Sequence, residues 1–185
     1  MPEVPATRRS VLSSLASVFD PLGLLTPALV PAKLYFQTQW AEKRGWDEPI
    51  PSDQTEDWEQ INNDWSGQVI TIPRRVLTNE AEVNQFHIFV DASKDVYACC
   101  VYLRCHSKPG NIANIIYSKN RLRPRKTAVT IPRLELLAIL IGVRAYLFVK
   151  NQIDIKCESG PVRFYGATPK LHWHGLILKS LSHAS

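Results

Sequence analysis

The run of short apolar segments between residues 86 and 150 limits the folds open to this chain more than any other feature. "FHIFVD" (86–91), "VYACCVYLR" (96–104) and "IANIIYSK" (112–119) are rich in β-branched, aromatic and aliphatic residues. "ASKD" separates the first two, and "CHSKPGN", with Pro-Gly as a turn signal, separates the second from the third. Gaps this tight permit hairpins and little else, so the three runs predict an antiparallel meander. "IPRLELLAILIGVRAYLFVK" (131–150) follows. Pro132 sits near its start, where a fixed φ and a missing N–H cost a helix least. Apolar residues at Leu134, Leu137, Ala138, Ile141, Ala145 and Phe148 give a well-buried helix. "PVRFYG" (161–166) reads as a fourth strand, which completes a β-β-β-α-β order.

The first 80 residues have a different texture. Residues 9–19 place Val11, Leu12, Leu15, Val18 and Phe19 at helical spacing. "DPLGLLTP" (20–27) breaks that pattern with two prolines and a glycine. Residues 28–44 read as an amphipathic helix with Leu29, Leu34, Phe36 and Trp40 apolar. A loop, "GWDEPIPSD" (45–53), leads to a short helix over 53–66 with Trp58, Ile61 and Trp65 on one side, and the extended "VITIPR" (69–74) closes the segment. The expected fold class is therefore α+β, with a helical unit over 1–80 and a β-β-β-α-β domain over 81–185.

Composition fits a folded protein: 45% hydrophobic and 21% charged residues over 185 positions. A formal charge of +5 permits a polyanionic partner without requiring one. Cys99 and Cys100 are adjacent on an expected strand and point to opposite faces, and with Cys105 and Cys157 they form no CxxC pair. Core thiols in a reducing compartment fit this usage, which places the chain inside the cell, in cytoplasm or nucleus. No apolar run reaches the roughly 18 residues of a membrane span, and Asp20-Pro21 interrupts the only stretch resembling a signal peptide.

Two carboxylates stand in unusual places. Asp91 ends the first strand, and Glu135 lies in the first turn of the long helix among Leu134, Leu136 and Leu137. If the helix packs across the meander, the two meet, and like charges at short range do not both ionise cheaply. A divalent cation held by oxygen ligands, Mg²⁺ or Mn²⁺, resolves that conflict. Simpler accounts exist: Asp91 as a turn residue, and Glu135 favoured by the helix dipole. Arg121, Arg123, Arg125 and Lys126 form a basic stretch able to track phosphates, or else a solvated loop. Trp40, Trp46, Trp58 and Trp65 read as core of the helical unit, with base stacking as the alternative. His172-Trp173-His174 reads as tail.

Several longer words sharpen this reading: "RRSVLSSLASVFDPLGLLTPALVPAKLYFQTQW", "GWDEPIP", "ITIPR", "FHIFVDASKDVYACCVYLR", "YSKNRLRPRKTAVTIPRLELLAILIGVRAY" and "VRFYGATPKLHW". Together they resemble the pol polyprotein of BEL/Pao-type LTR retrotransposons, where such a segment joins the end of a reverse transcriptase to an RNase H-like domain. Segments of this kind also carry the name Pao retrotransposon peptidase. The resemblance implies a thumb- or connection-like helical unit followed by a truncated RNase H-like domain. It implies that Asp91 and Glu135 are the first two catalytic, metal-binding carboxylates, with Mg²⁺ or Mn²⁺ as cofactor. It also implies an RNA–DNA hybrid as nucleic-acid partner, no membrane, and other parts of the polyprotein as neighbours.

Where the family has its third ligand, an aspartate after the fourth strand, this chain has Ala167 followed by Thr168. The resemblance places a fourth ligand further downstream than the sequence runs. Asp154 and Glu158 precede the fourth strand, at its wrong end. Two-metal hydrolysis needs enough carboxylates to hold and neutralise both ions. The expectation is thus a pol-derived fragment with an incomplete site, inactive by itself, with weak or absent metal binding. The alternatives are a hybrid-binding module without catalysis, and an aspartic-type peptidase. The last lacks the glycine that its Asp-Thr/Ser-Gly loop needs, because Asp91 is followed by Ala92 and Ser93.

Overall fold

A computed structural model of the chain describes residues 6–65, 67, 69, 71–72, 76, 83–107, 110–125, 128–153 and 162–166. The chain divides into two units, one of residues Met1–Pro21 and Leu25–Ile72, the other of Leu22–Leu24 and Pro73–Ser185. Leu22 belongs with the second because its carbonyl accepts the Ser118 N–H at 2.8 Å.

The second unit is built on a four-stranded sheet. β1 (Val83–Ala92), β2 (Val96–Ser107) and β3 (Gly110–Leu122) form the expected antiparallel meander. β4 (Arg163–Gly166) pairs with β1 in parallel, giving the spatial order β3-β2-β1-β4. The strands outrun their apolar cores: β2 continues through Arg104 and His106, polar residues that alternate with buried Leu103 and Cys105. Alternation assigns the faces. Phe86, Ile88 and Val90 of β1 stand opposite Leu103, Val101 and Cys99 of β2, and all six are buried on one face.

That face is covered by α4 (Ile131–Gln152), whose Leu134, Ala138, Ile141, Ala145, Tyr146 and Val149 join the same core. Fully burying a side chain such as Leu134 contributes about 1.5–3 kcal/mol. Gly142 is the point of closest approach. A Cβ there would lie 2.5 Å from Val90 Cγ1 and 3.3 Å from Ile88 Cγ2, so the helix reaches the sheet only because this residue has no side chain. Phe86 meets Tyr146 at 5.4 Å between ring centroids, four strand residues before Val90 meets Gly142. The helix therefore runs antiparallel to β1, and its N-terminal turns lie toward the C-terminal end of that strand. Leu136, Leu140 and Leu147 face outward, and so does Phe148, which was expected in the core. Its ring is 53% exposed and leans on Tyr117 from the side.

In the first unit, α1 (Arg8–Ser17) starts with a reciprocal cap: Thr7 Oγ1 accepts the Ser10 N–H and Ser10 Oγ accepts the Thr7 N–H. α2 (Thr26–Gln39) stops five residues short of the expected 44. Arg8 explains the stop. Its buried guanidinium donates to the carbonyls of Gln39, Glu42 and Arg44, which the chain must present by leaving the helix. α3 (Ser52–Trp65) adds Trp58 to a core of Val11, Ala32, Tyr35 and Ile50. Trp40 and Trp46 are not core residues. They pack edge to face at 5.2 Å, 54% and 40% exposed, with the Arg8 and Arg9 guanidiniums over their rings. Val69, Thr71 and Ile72 of the expected extended segment carry no strand, and its other residues lie outside the described ones.

Candidate functional site

Asp91 is the ninth residue of β1, paired with Ala98 of β2, and is exposed. Its Oδ1 accepts the N–H of the next residue, Ala92, at 2.7 Å. The β1–β2 turn is closed by another side chain. Ser93 Oγ accepts the N–H groups of Asp95 and Val96, and the Ser93 N–H donates to the Val96 carbonyl at 2.8 Å. The turn thus holds together without the Asp91 carboxylate. Ala92 stays in the strand, paired with Tyr97.

Glu135, expected in the first turn of α4, is instead its fifth residue, one place past that turn, which contains no acidic residue because the helix begins at Ile131. The helix dipole falls off within that turn, so it accounts poorly for the carboxylate. Glu135 lies seven residues before Gly142, two full turns or about 10.5 Å along the axis on the same side of the helix. That side is the one applied to β1 and β2. Glu135 is half-buried on its rim. The antiparallel run of α4 against β1 thus puts the helix start carrying Glu135 and the strand end carrying Asp91 at one end of the sheet. By alternation with buried Val90, Asp91 opens to the sheet face away from α4, where it lines a hollow with Phe89, Ala98, Cys100 and Tyr165.

The basic stretch leaves the sheet at the same end. Arg121 pairs with Tyr97, which pairs with Ala92, so the three lie in line across β3, β2 and β1. At about 4.8 Å per strand, the Arg121 backbone is roughly 10 Å from that of Ala92. The Arg123 N–H donates to the Asp95 carbonyl at 2.7 Å, which ties the basic segment to the β1–β2 turn. Arg121 and Arg125 are exposed and Arg123 is half-buried. Lys126 lies outside the described residues, as do Asp154, Cys157, Glu158, Ala167 and the His172-Trp173-His174 stretch. β4 ends at Gly166, level with Val90, one residue short of Asp91.

Cys99, Cys100 and Cys105 form no disulfide among the described residues. Burial, and then the neighbouring Cys100, push the Cys99 thiol up to about 11, far from nucleophilic at neutral pH. Among the described residues, no three His, Cys, Asp or Glu side chains gather as a metal-holding group. No described helix is long and apolar enough to cross a membrane.

One further cluster has no signature in local sequence. His87, on the face away from α4, is 8% exposed, and its Nδ1 lies 2.9 Å from the Tyr165 hydroxyl of β4. The pair exists only because β4 lies parallel beside β1, a neighbour relation that local patterning does not encode.

A search among curated proteins finds no match. The family described as Pao retrotransposon-like RNaseH-like domain matches residues 7–164, which takes in α1 and runs through the sheet and α4 into β4. With most of its length covered by that match, the chain belongs to the Pao retrotransposon-like RNaseH-like domain family.

Proposed function

We propose that this chain is a retrotransposon pol segment whose RNase H-like site is incomplete, engaging RNA–DNA hybrid through the basic segment while cleaving it negligibly. The observation that carries the reading is the shared sheet end. The strand tip with Asp91, the helix start with Glu135 and the arginines after β3 all lie at that end. Asp91 opens on the face away from α4 and Glu135 lies on the rim of the face beneath it, which supports a phosphate contact there and argues against a shared metal pair. Two-metal phosphoryl chemistry needs enough negative oxygens to hold both ions about 3.5–4 Å apart. The donors that this reading names are Asp91 and Glu135, and the position after β4, where the family resemblance implies a third, is Ala167. These residues do not fit a two-ion centre. They suit at most one hydrated, weakly held Mg²⁺ or Mn²⁺.

The test is RNA release from a labelled hybrid by the purified chain with Mg²⁺ or Mn²⁺, with Asp91→Asn as control. Hybrid binding should be measurable, should weaken as salt rises, and should fall in an Arg121→Gln/Arg123→Gln variant. Cleavage should match the control. Robust cleavage abolished by Asp91→Asn would sink the incomplete-site reading. Salt-insensitive binding, or none, would sink the hybrid reading.

A further inference from the structure

α4 is the one described helix of this unit and packs on one face of the sheet; the opposite face is neither polar nor plain. The Tyr165 ring stands nearly parallel to two neighbours, to His87 at 5.7 Å and 6° and to Phe89 at 4.7 Å and 13°. Tyr102 of β2 meets Phe89 edge-on at 5.5 Å and 82°. The hydrogen bond between His87 and Tyr165 fixes the first pair, while Phe89 remains 44% exposed. His87 Nε2 is buried without a hydrogen-bond partner. Beside these rings lies an open hollow of about 390 Å³, walled almost wholly by carbon and lined by His87, Phe89, Tyr102 and Arg104 among others. A second, of about 250 Å³, shares Phe89 and continues to Asp91.

The rim is cationic. Arg104 lines the larger hollow, and Arg163 pairs with His87 across the β1–β4 ladder. Neither arginine forms an ion pair with another described residue. Their closeness registers on His87: burial first, then the charges of Arg104, Arg163 and His106, hold its imidazole below the ordinary pKa.

We propose that this face binds single-stranded nucleic acid, with unpaired bases extending the parallel ring stack at Phe89 and Tyr165 and phosphates held by Arg104 and Arg163. An exposed aromatic surface on an open four-stranded sheet takes unstacked bases regardless of sequence, because every base has a π-face. A protein segment laid here would have to bury both arginines and supply carboxylates for them. A nucleic-acid strand brings a negative charge with every residue. The inference concerns a different face from the carboxylate end and does not depend on metal or on cleavage.

The test is fluorescence anisotropy of the full chain with a short labelled oligothymidine, beside the same backbone made abasic. The variants are Phe89→Leu, which keeps an apolar side chain and the fold but removes the π-face, Arg104→Gln, and Arg121→Gln/Arg123→Gln. Phe89→Leu should weaken binding on the order of tenfold. The abasic strand should lose a comparable factor, Arg104→Gln should reduce the salt dependence, and the Arg121/Arg123 variant should leave single-strand affinity unchanged. Equal binding of abasic and base-bearing strands, or unaltered affinity in Phe89→Leu, overturns the proposal. So does a result in which Phe89→Leu changes only the oligomeric state seen by light scattering, which would mark the face as a contact between copies of the chain. If the Arg121/Arg123 variant loses both hybrid and single strand while Phe89→Leu loses neither, this proposal fails and the hybrid reading stands.

Discussion

Gly142→Ala sets two physical effects of opposite sign against each other. Replacing glycine by alanine inside a helix ordinarily stabilises it by about 0.8–1 kcal/mol. Here the new methyl would fall 2.5 Å from Val90 Cγ1, 3.3 Å from Ile88 Cγ2 and 3.7 Å from Cys99 Cβ. The first distance is about 1 Å inside the optimum for two carbons, ~3.5–4.0 Å. Neither neighbour yields easily. Ile88 is fully buried and Val90 is 6% exposed, and both are β-branched and stiff at χ1. Overpacking of this kind costs about 1–3 kcal/mol, and two crowded contacts favour the upper half of that range. The net expectation is a loss of about 1–2 kcal/mol, with roughly 4 °C in Tm for each kcal/mol in a unit of this size. Urea and thermal melts followed by circular dichroism measure it. A double-mutant cycle with Val90→Ala isolates the cause, because trimming Val90 removes the crowding atom. The double variant should be more stable than the sum of the singles predicts by at least about 1 kcal/mol. Gly142→Ala that raises stability, or singles that simply add, would refute the close-approach argument and with it the register that brings Asp91 and Glu135 to one end of the sheet.

Two further outcomes follow from buried polar groups. Arg8→Ala should destabilise the helical unit by about 2–4 kcal/mol, because the carbonyls of Gln39, Glu42 and Arg44 lose their donor. Arg8→Lys should recover less than half of that, since an ammonium lacks the planar fork. Tryptophan fluorescence, sensitive to buried Trp58, is the readout, and a loss below about 0.5 kcal/mol would count against the capping role. His87 has a folded pKa lowered mainly by burial. The unfolded chain therefore binds the extra proton first as pH falls, from about 6.5 downward. The stability this imidazole contributes is complete above that value and is lost as pH drops toward the folded pKa. His87→Gln should flatten the pH dependence of unfolding in that window, and an unchanged slope between the two proteins would refute it.

Much of the second unit could be read in advance because its signals are local. The tight "ASKD" gap and Pro132 at the helix start each specify backbone geometry within a few residues. Strand lengths were less legible, since β2 continues past the expected 104 through Cys105, His106 and Ser107. Phe148 was misplaced for a related reason: helical spacing gives a stripe but not its width, and the buried stripe is centred on Ala138, Gly142 and Tyr146. Trp40 and Trp46 look like core because they are large and apolar, but guanidiniums cover them instead of aliphatic side chains. At the candidate site, the elements carrying Asp91 and Glu135 were readable, but not that Glu135 falls just past the first turn of α4, nor the face on which Asp91 opens. The His87–Tyr165 pair joins residues 78 positions apart and has no local signature at all.

Arg8 also bears on how the helical unit forms. Its bonds reach carbonyls 31 to 36 residues away, whereas α1, α2 and α3 each close through neighbours within a turn. Helices nucleate and relax in about a microsecond or less, but a contact across such a loop must first meet the entropy of closing it. Helical content is therefore a poor gauge of completion in this unit. All three helices can be present while the Arg8 side chain still lies in water, and the unit is native only when that one guanidinium leaves solvent and the end of α2 closes around it.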